Sequence, residues 1–121
     1  MPTTLIFGAS RGLGRAFTDH ALQLGHRVVA LVRHADMASE LHTLGVEVVI
    51  GDALDPLAVA QACRLAGRDA RVVSTLGSFR QSAPVDYQGN RHVIDEMERA
   101  GLSRLLLRSE EHTSELQSRQ C

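Results

Sequence analysis

The stretch IFGASRGLGRA, residues 6–16, decides the fold. Its three glycines, Gly8, Gly12 and Gly14, follow an apolar run and precede a change to helical periodicity. Glycine lets a backbone turn tightly and lets phosphate oxygens approach its N–H groups, and the positive end of the following helix favours a pyrophosphate. Because a strand stands before the motif and a helix after it, a phosphate-binding turn is a better interpretation than a merely tight strand–helix turn.

The rest of the chain alternates apolar strands with helices of ordinary length. Continuous Val, Leu and Ile runs indicate strands that are covered on both faces. Right-handed crossovers then predict an α/β fold, a doubly wound parallel (Rossmann) sheet of five strands in the order 3-2-1-4-5. The predicted strands are TTLIFG (3–8), RVVALV (27–32), VEVVIG (46–51), ARVVSTLG (70–77) and RLLL (104–107).

Capping residues and apolar periodicity predict where the helices begin and which sides they bury. The second helix is expected to begin at a capping Asp36, and the third at Asp55, with Pro56 at its first position. The expected buried faces are Leu13, Ala16, Phe17, Ala21 and Leu24 in the first helix, and Val93, Ile94 and Met97 in the fourth.

Composition limits the class of protein. A chain of 121 residues fits one domain, and its formal charge of −1 favours neither nucleic acid nor an anionic membrane as partner. Cys63 and Cys121 have no metal-binding or redox spacing, and no apolar run approaches the roughly 20 residues of a membrane helix. We therefore expect a reduced, soluble, cytoplasmic protein whose ligand is a small molecule.

The second strand ends in Arg33, within the stretch ALVRH. Sites that prefer NAD usually carry Asp or Glu there, about 20 residues beyond the glycine turn, to accept hydrogen bonds from the ribose 2′-hydroxyl. A guanidinium suits a 2′-phosphate instead, and Arg11 in the turn offers a second cation. We therefore expect NADP(H) rather than NAD; the alternative is that both arginines are simply exposed. The missing acid also disfavours an S-adenosylmethionine site.

Two further stretches lie at the carboxyl ends of strands, where such sheets bind ligands. In GDALD, Asp52 could accept from an adenine amino group while Ala53 packs on the ring, and Asp55 is better explained as a helix cap. In STLGS, the backbone from Thr75 to Gly77 could pass beside the ribose or nicotinamide. Local turn hydrogen bonding is an equally good interpretation for the hydroxyl groups of this second stretch.

These stretches together resemble the short-chain dehydrogenase/reductase superfamily, most closely its atypical, NmrA-like or NAD(P)H-binding branch. The resemblance is carried by GASRGLGRA (8–16), ALVRHADM (30–37), the region 51–77 and GNRHVIDEMERAGLSRLLL (89–107). It implies a Rossmann fold with a bound nicotinamide dinucleotide, in which Asp52 and Ala53 match the adenine-contacting pair and Arg33 the basic residue of NADP-preferring members. The expected cofactor-binding residues are Gly8, Ser10, Arg11, Gly12, Leu13, Gly14, Arg33, Asp52, Ala53, Thr75, Leu76 and Gly77.

The chain departs from this superfamily in its catalytic residues. Hydride-transferring members rely on Tyr-x-x-x-Lys after the fifth strand, but all 13 basic residues here are Arg, and Tyr87 precedes that strand. Arg91 does not replace the lysine, because its planar fork differs from a compact ammonium. We interpret Tyr87 as a partly buried helix residue, and His20, His42 and His92 as exposed or half-buried helix residues rather than ligands. The catalytic residues are therefore unknown, and no metal site is expected.

Two functions from different classes follow from the resemblance. The first is the cofactor-binding part of an NADP-dependent oxidoreductase or related epimerase, inactive in this form because the catalytic pair is missing. The second is a non-catalytic, NADP-sensing regulatory protein of the NmrA-like type, whose affinity for a partner changes with redox state. The residues that would separate them lie beyond the fifth strand in this superfamily.

The polar stretch RSEEHTSELQS, Arg108–Ser118, is not typical of this fold. It follows RLLL without any apolar periodicity that would pack on a sheet. Its eleven residues match, in one reading frame, the translation of a common sequencing-library adapter. We therefore expect Arg108–Cys121 to be a non-native tail and residues 1–107 to be an incomplete NAD(P)-binding domain, truncated after an exposed fifth strand.

Overall fold

Strands and helices alternate along the part of the chain that the structure, a computed structural model, describes: residues 2–9, 12–75, 83–102, 104–108 and 113–115. Within these ranges no helix is both long and apolar enough to cross a membrane. The elements are β1 (Thr3–Phe7), α1 (Gly12–Gln23), β2 (Arg27–Val32), α2 (Ala35–Thr43), β3 (Glu47–Ile50), α3 (Pro56–Ala66), β4 (Arg71–Ser74), α4 (Ala83–Ala100), β5 (Arg104–Arg108) and β6 (Thr113–Glu115).

The first five strands form a parallel sheet in the order β3-β2-β1-β4-β5, which confirms the predicted topology. Its centre is β1, where Ile6 lies opposite Ala30 of β2 on one side and Val73 of β4 on the other. The crossover from β3 over β2 and β1 to β4 reverses the direction in which strands are added. That reversal leaves the carboxyl ends of β1 and β4 side by side, where doubly wound sheets bind ligands.

Helices cover both faces of the sheet, as the continuous apolar runs predict. Leu5 and Phe7 point into one core with α3 and α4, whereas Ile6 points into the other core with residues of α1 and α2. All three side chains are fully buried. Because successive side chains of a strand point to opposite faces, only a strand that is covered on both sides needs an unbroken apolar run.

The predicted buried face of α1 is wrong in three of its residues. Leu13 and Leu24 are 44% and 59% exposed, and Ala16 is exposed too. The buried residues of α1 are instead Gly14, Thr18 and Ala21, with Phe17 half-buried beside them. The buried side of α1 is therefore rotated by about 100° around the helix axis from the predicted side. That angle corresponds to a shift of one residue along the sequence. Small residues line the buried side because α1 lies very close to β1. The face predicted for α4 is confirmed, with Val93 and Met97 buried and Ile94 packed beside them.

One predicted helix cap is confirmed and the other is wrong. Asp55 caps α3, since its carboxylate accepts a hydrogen bond from the Leu57 N–H at 3.0 Å and Pro56 follows at the first helical position. In α2, the helix begins at Ala35 and the capping position belongs to His34, whose side chain makes no capping hydrogen bond. Asp36 lies inside the first turn, where its charge still suits the helix dipole.

A sixth strand, which the sequence does not predict, covers the edge of β5. Residues Thr113–Glu115 pair antiparallel with β5, with Leu107 opposite Ser114. The expected exposed fifth-strand edge is therefore wrong for the structure. Backbone pairing needs no apolar periodicity, because an edge strand offers unpaired N–H and C=O groups to any extended segment. The non-native origin of Arg108–Cys121 stays a prediction.

At the amino end of the sheet, Arg27 joins three elements. Its guanidinium donates two hydrogen bonds to the Glu47 carboxylate, at 2.7 and 2.8 Å, and so links β2 to β3. It also donates to the carbonyls of Leu65 and Ala66, at 2.9 and 3.2 Å, in the last turn of α3. Those carbonyls have no partner within the helix. The hydrogen bonds from Arg27 lower the pKa of Glu47.

Candidate functional site

The carboxyl edge of the sheet gathers the predicted cofactor residues that the structure describes. They lie just beyond four neighbouring strands: Gly8, Gly12, Leu13 and Gly14 after β1, Arg33 after β2, Asp52 and Ala53 after β3, and Thr75 after β4. Ser10, Arg11, Leu76 and Gly77 lie outside the described residues. All four strands are parallel and paired in the order given above, so these positions share one edge.

Three backbone segments meet at Gly8, Gly14 and Thr75. A Cβ on Gly14 would overlap the Gly8 carbonyl group and lie 2.8 Å from the Thr75 hydroxyl, and a Cβ on Gly8 would overlap the same hydroxyl. Gly8 also has a φ of +91°, a conformation that side chains disfavour. The first and third glycines of the motif are thus required by packing within the protein.

Hydrogen bonds fix this junction. The Thr75 N–H donates to the Phe7 carbonyl at 2.9 Å, continuing the β1–β4 ladder by one residue. The Thr75 hydroxyl lies 3.3 Å from the Phe7 carbonyl oxygen and 3.2 Å from that of Gly8, and donates to them. On the helix side, the buried Thr18 hydroxyl donates to the Gly14 carbonyl at 2.8 Å. The Thr75 hydroxyl thus bonds to the end of β1 rather than within its own turn, so these bonds are not the local turn hydrogen bonding considered for Thr75.

Gly12 differs from the other two glycines of the motif. Its φ is +63°, and a Cβ built on it would have no atom within 4 Å among the described residues beyond its chain neighbours and the backbone of its own helix turn. It begins α1, whose first turn carries no acidic side chain. The N–H groups of a first turn have no partners within the helix and attract anions. A phosphate group therefore fits at the open face of Gly12, and a side chain at this position would occupy the same space.

Arg33 lies beside Asp52 at this edge. The Arg33 Nη1 and the Asp52 Oδ2 are 4.0 Å apart, and the two side chains are 63% and 46% exposed. An ion pair so long and so exposed contributes little free energy. The guanidinium can therefore turn to another anion at little cost.

Four hydrogen bonds hold the loop after β3. The Gly51 N–H donates to the Val32 carbonyl at 2.8 Å, next to Arg33. The Asp52 carboxylate accepts from the Leu54 N–H at 3.0 Å, and the Asp55 N–H donates to the Asp52 carbonyl at 2.8 Å. A fourth hydrogen bond comes from α4, where the His92 Nδ1 lies 2.8 Å from the Ala53 carbonyl oxygen. These bonds fix the position of Asp52 and Ala53 relative to β2.

The remaining candidates for chemistry lie in the four helices. Tyr87 lies in α4, with its side chain outside the described part of the chain. His20 and His42 are exposed and His92 is half-buried. Cys63 is fully buried in α3, and burial raises the pKa of its thiol to about 12. Among the residues described, no three His, Cys, Asp or Glu side chains are grouped to hold a metal ion.

A cavity of about 470 Å³ lies at the opposite end of the sheet, away from the glycine turn. Its lining includes His26 before β2, Arg71 at the start of β4 and Arg104 at the start of β5. Since the predicted cofactor residues all lie beyond the other ends of these strands, the volume of this cavity does not identify the cofactor site.

The chain matches a known protein family in a region that includes the glycine turn. The NAD(P)H-binding family profile matches residues 8–119. A curated relative, 3-diazoavenalumate denitrifying reductase from a Streptomyces species, is 33% identical over 116 residues, which cover 87% of this chain and 36% of the relative.

Solved structures give the same fold. The anaerobillin reductase ChuY from Escherichia coli is 46% identical, with a TM-score of 0.79 over 87% of this chain and 49% of that one. A yeast methylglyoxal/isovaleraldehyde reductase complexed with NADPH superposes with a TM-score of 0.75 at 15% identity, over 87% of this chain and 36% of that one. The chain thus spans half or less of the length of these relatives.

The two kinds of glycine should respond differently to alanine. We expect Gly14→Ala to lower the free energy of unfolding by about 2–3 kcal/mol through overpacking, although alanine has the higher helix propensity. Gly12→Ala should cost only about 1 kcal/mol, from its positive φ. Gly25→Ala is the matched control, because Gly25 has a φ of +82° and open space around its Cβ. Urea unfolding midpoints measure all three; equal losses for Gly14 and Gly12 would contradict the close contact.

Proposed function

The chain belongs to the NAD(P)H-binding family, and from that premise we propose that it is the NADP(H)-preferring cofactor-binding part of a reductase of the short-chain dehydrogenase/reductase type. The observation that carries the proposal is the position of Gly12 at the start of α1. Gly12 has a positive φ and open space at its Cβ position, whereas Gly8 and Gly14 in the same turn are fixed by packing. A phosphate group would occupy the open face of Gly12, beside the first-turn N–H groups of α1.

The pyrophosphate would lie over Gly12 and Leu13. The first-turn N–H groups of α1 would donate to its oxygens, and the helix dipole would favour its negative charge. The side chain of Leu13 is 44% exposed, next to this position. An exposed leucine here is explained if a ligand covers it, since contact with an adenosine or ribose ring would remove apolar surface from water.

Arg33 would select the phosphorylated cofactor. Its guanidinium faces only a long, exposed contact with Asp52, which a 2′-phosphate would outcompete because it carries more charge at shorter range. Arg11 would supply a second cation to the same phosphate. Asp52 and Ala53 would contact the adenine, and the backbone from Thr75 through Leu76 to Gly77 would pass beside the ribose or nicotinamide.

Reductase chemistry is favoured over epimerase chemistry by the relatives, since the 33% and 46% identical proteins are both reductases. A bound nicotinamide would supply the hydride. The residues of this chain would bind and orient the cofactor, while its catalytic groups remain to be supplied. The chain contains no Lys, and Tyr87 lies in α4, before β5.

The same observation supports a second candidate, a non-catalytic NADP-sensing regulator of the NmrA-like type. A sensor needs the glycine turn and Arg33 but no Tyr-x-x-x-Lys pair. Its redox signal would be the difference in partner affinity between the NADP-bound and NADPH-bound forms.

Cofactor binding is tested by substitution of Gly12. Gly12→Ala should lower the affinity for NADPH at least tenfold, because the added Cβ lies where phosphate oxygens approach. Titration calorimetry measures the affinity, and Gly25→Ala, which carries the same backbone strain at the other end of α1, should bind NADPH as the unaltered chain does. Unchanged affinity in a folded Gly12→Ala variant would contradict the proposed phosphate position.

Cofactor preference is tested by substitution of Arg33. The charge-assisted contact with the 2′-phosphate is worth about 1.5–3 kcal/mol, so Arg33→Asp should weaken NADPH binding by tenfold or more and favour NADH. Arg64→Asp makes the same charge change on an exposed residue of α3 and should leave the preference unaltered. The prediction is wrong if the unaltered chain binds NADH as tightly as NADPH.

Turnover separates the two candidate functions. The 121-residue chain should consume no NADPH with a panel of carbonyl substrates or with anaerobillin, because it has no Lys to complete the catalytic pair. A complete homologous protein should consume NADPH if the reductase proposal is right, and should bind NADPH without turnover if the sensor proposal is right. Measured turnover by the 121-residue chain itself would show that the active site is already present in it.

A further inference from the structure

We propose that His92 is a positioning residue for the adenosine half of the cofactor. The inference rests on the proposed function, and it concerns a residue that the sequence predicts to be an ordinary helix residue. His92 lies in α4, which follows β4, whereas the loop it contacts follows β3. The residue therefore connects two segments that are separated by 39 positions in the chain.

The hydrogen bond requires a proton on Nδ1 of the His92 ring. The His92 Nδ1 lies 2.8 Å from the Ala53 carbonyl oxygen, and a carbonyl oxygen can only accept. Nδ1 must therefore carry the proton and donate it. The imidazole is half-buried between α4 and the loop, where Ala53 packs against the core shared by α3 and α4. A hydrogen bond in such a place orders both of its partners more than an exposed one does.

The loop needs this outside support. Among the described residues, the other hydrogen bonds of residues 51–54 are the Asp52–Leu54 and Asp52–Asp55 contacts within the turn, and the Gly51 bond to β2 at the start of the turn. The Ala53 carbonyl and the Leu54 N–H belong to one peptide group, which the Asp52 carboxylate holds from within the turn. The bond from His92 fixes that peptide, and with it the direction of the neighbouring Asp52 side chain, which shares the sheet edge with Arg33.

The consequence is a selective effect on adenosine binding. Without the bond, the Ala53–Leu54 peptide group would keep only its contact with the Asp52 carboxylate among the described residues, and the loop would be less ordered before the adenine binds. The pyrophosphate turn would be unaffected, since Gly8 is held by Thr75 and Gly14 by Thr18. His92 would thus raise affinity without touching the cofactor.

The experiment compares His92→Leu, which removes the donor, with His92→Asn, whose amide nitrogen occupies the place of Nδ1. The ligands are 2′,5′-ADP, NADPH and inorganic pyrophosphate, and calorimetry measures their affinities. We expect His92→Leu to bind 2′,5′-ADP and NADPH about five- to tenfold more weakly, with pyrophosphate affinity unchanged. His92→Asn should keep the affinity within about twofold. The control His42→Leu, at an exposed histidine of α2, should change none of the three.

The outcomes separate this inference from the proposed function. If the unaltered chain binds neither NADPH nor 2′,5′-ADP, the proposed function and this inference both fail. Suppose that the unaltered chain binds both ligands. The positioning role alone is then overturned if His92→Leu binds 2′,5′-ADP as tightly as the unaltered chain does. It is also overturned if His92→Asn loses as much affinity for 2′,5′-ADP as His92→Leu does. A uniform loss for all three ligands together with a lowered Tm would show that His92 serves only the stability of the fold, and would likewise overturn the proposal.

Discussion

The contact of three backbones at Gly8, Gly14 and Thr75 is the constraint on which the candidate site depends. It brings the first turn of α1 against the end of β1 and ties both to the end of β4. Because no side chain separates these segments, α1 starts directly at the carboxyl ends of β1 and β4, and the N–H groups of its first turn have no partners within the helix. The same closeness explains why α1 buries Gly14, Thr18 and Ala21 and leaves Leu13 and Leu24 in solvent.

The two ends of the sheet use charge in different ways. At the amino end, Arg27 makes two short hydrogen bonds to Glu47 and two to the carbonyls of α3, so four hydrogen bonds from its guanidinium hold β2, β3 and α3 together. At the carboxyl end, Arg33 faces Asp52 across 4.0 Å in a largely exposed pair. A bidentate, partly buried pair resists exchange, whereas a long exposed pair is easily exchanged. Arg27 therefore holds the fold at one end, whereas the contact of Arg33 with Asp52 adds little to the stability of the other end.

The site is assembled from separate parts of the chain, each with its own support. The glycine turn is supported by Thr75 from β4, and the loop after β3 is supported by His92 from α4. In both cases the supporting residue comes from the second half of the chain, and the supported segment from the first half. The elements after the crossover thus position the glycine turn and the loop after β3, which are proposed to contact the pyrophosphate and the adenine.

The sequence by itself determined the element types, the strand order and the residues at the carboxyl edge. Those follow from local features: unbroken apolar runs, the Asp55-Pro56 helix start and the spacing of Gly8, Gly12 and Gly14. What only the tertiary structure decided is which side of α1 is buried, that β6 pairs with β5, that Arg27 joins three elements, and that His92 contacts Ala53. Each of these features depends on the distance between two segments that are far apart in the chain. Packing across the sheet sets that distance, and the residue pattern of a single segment does not determine it.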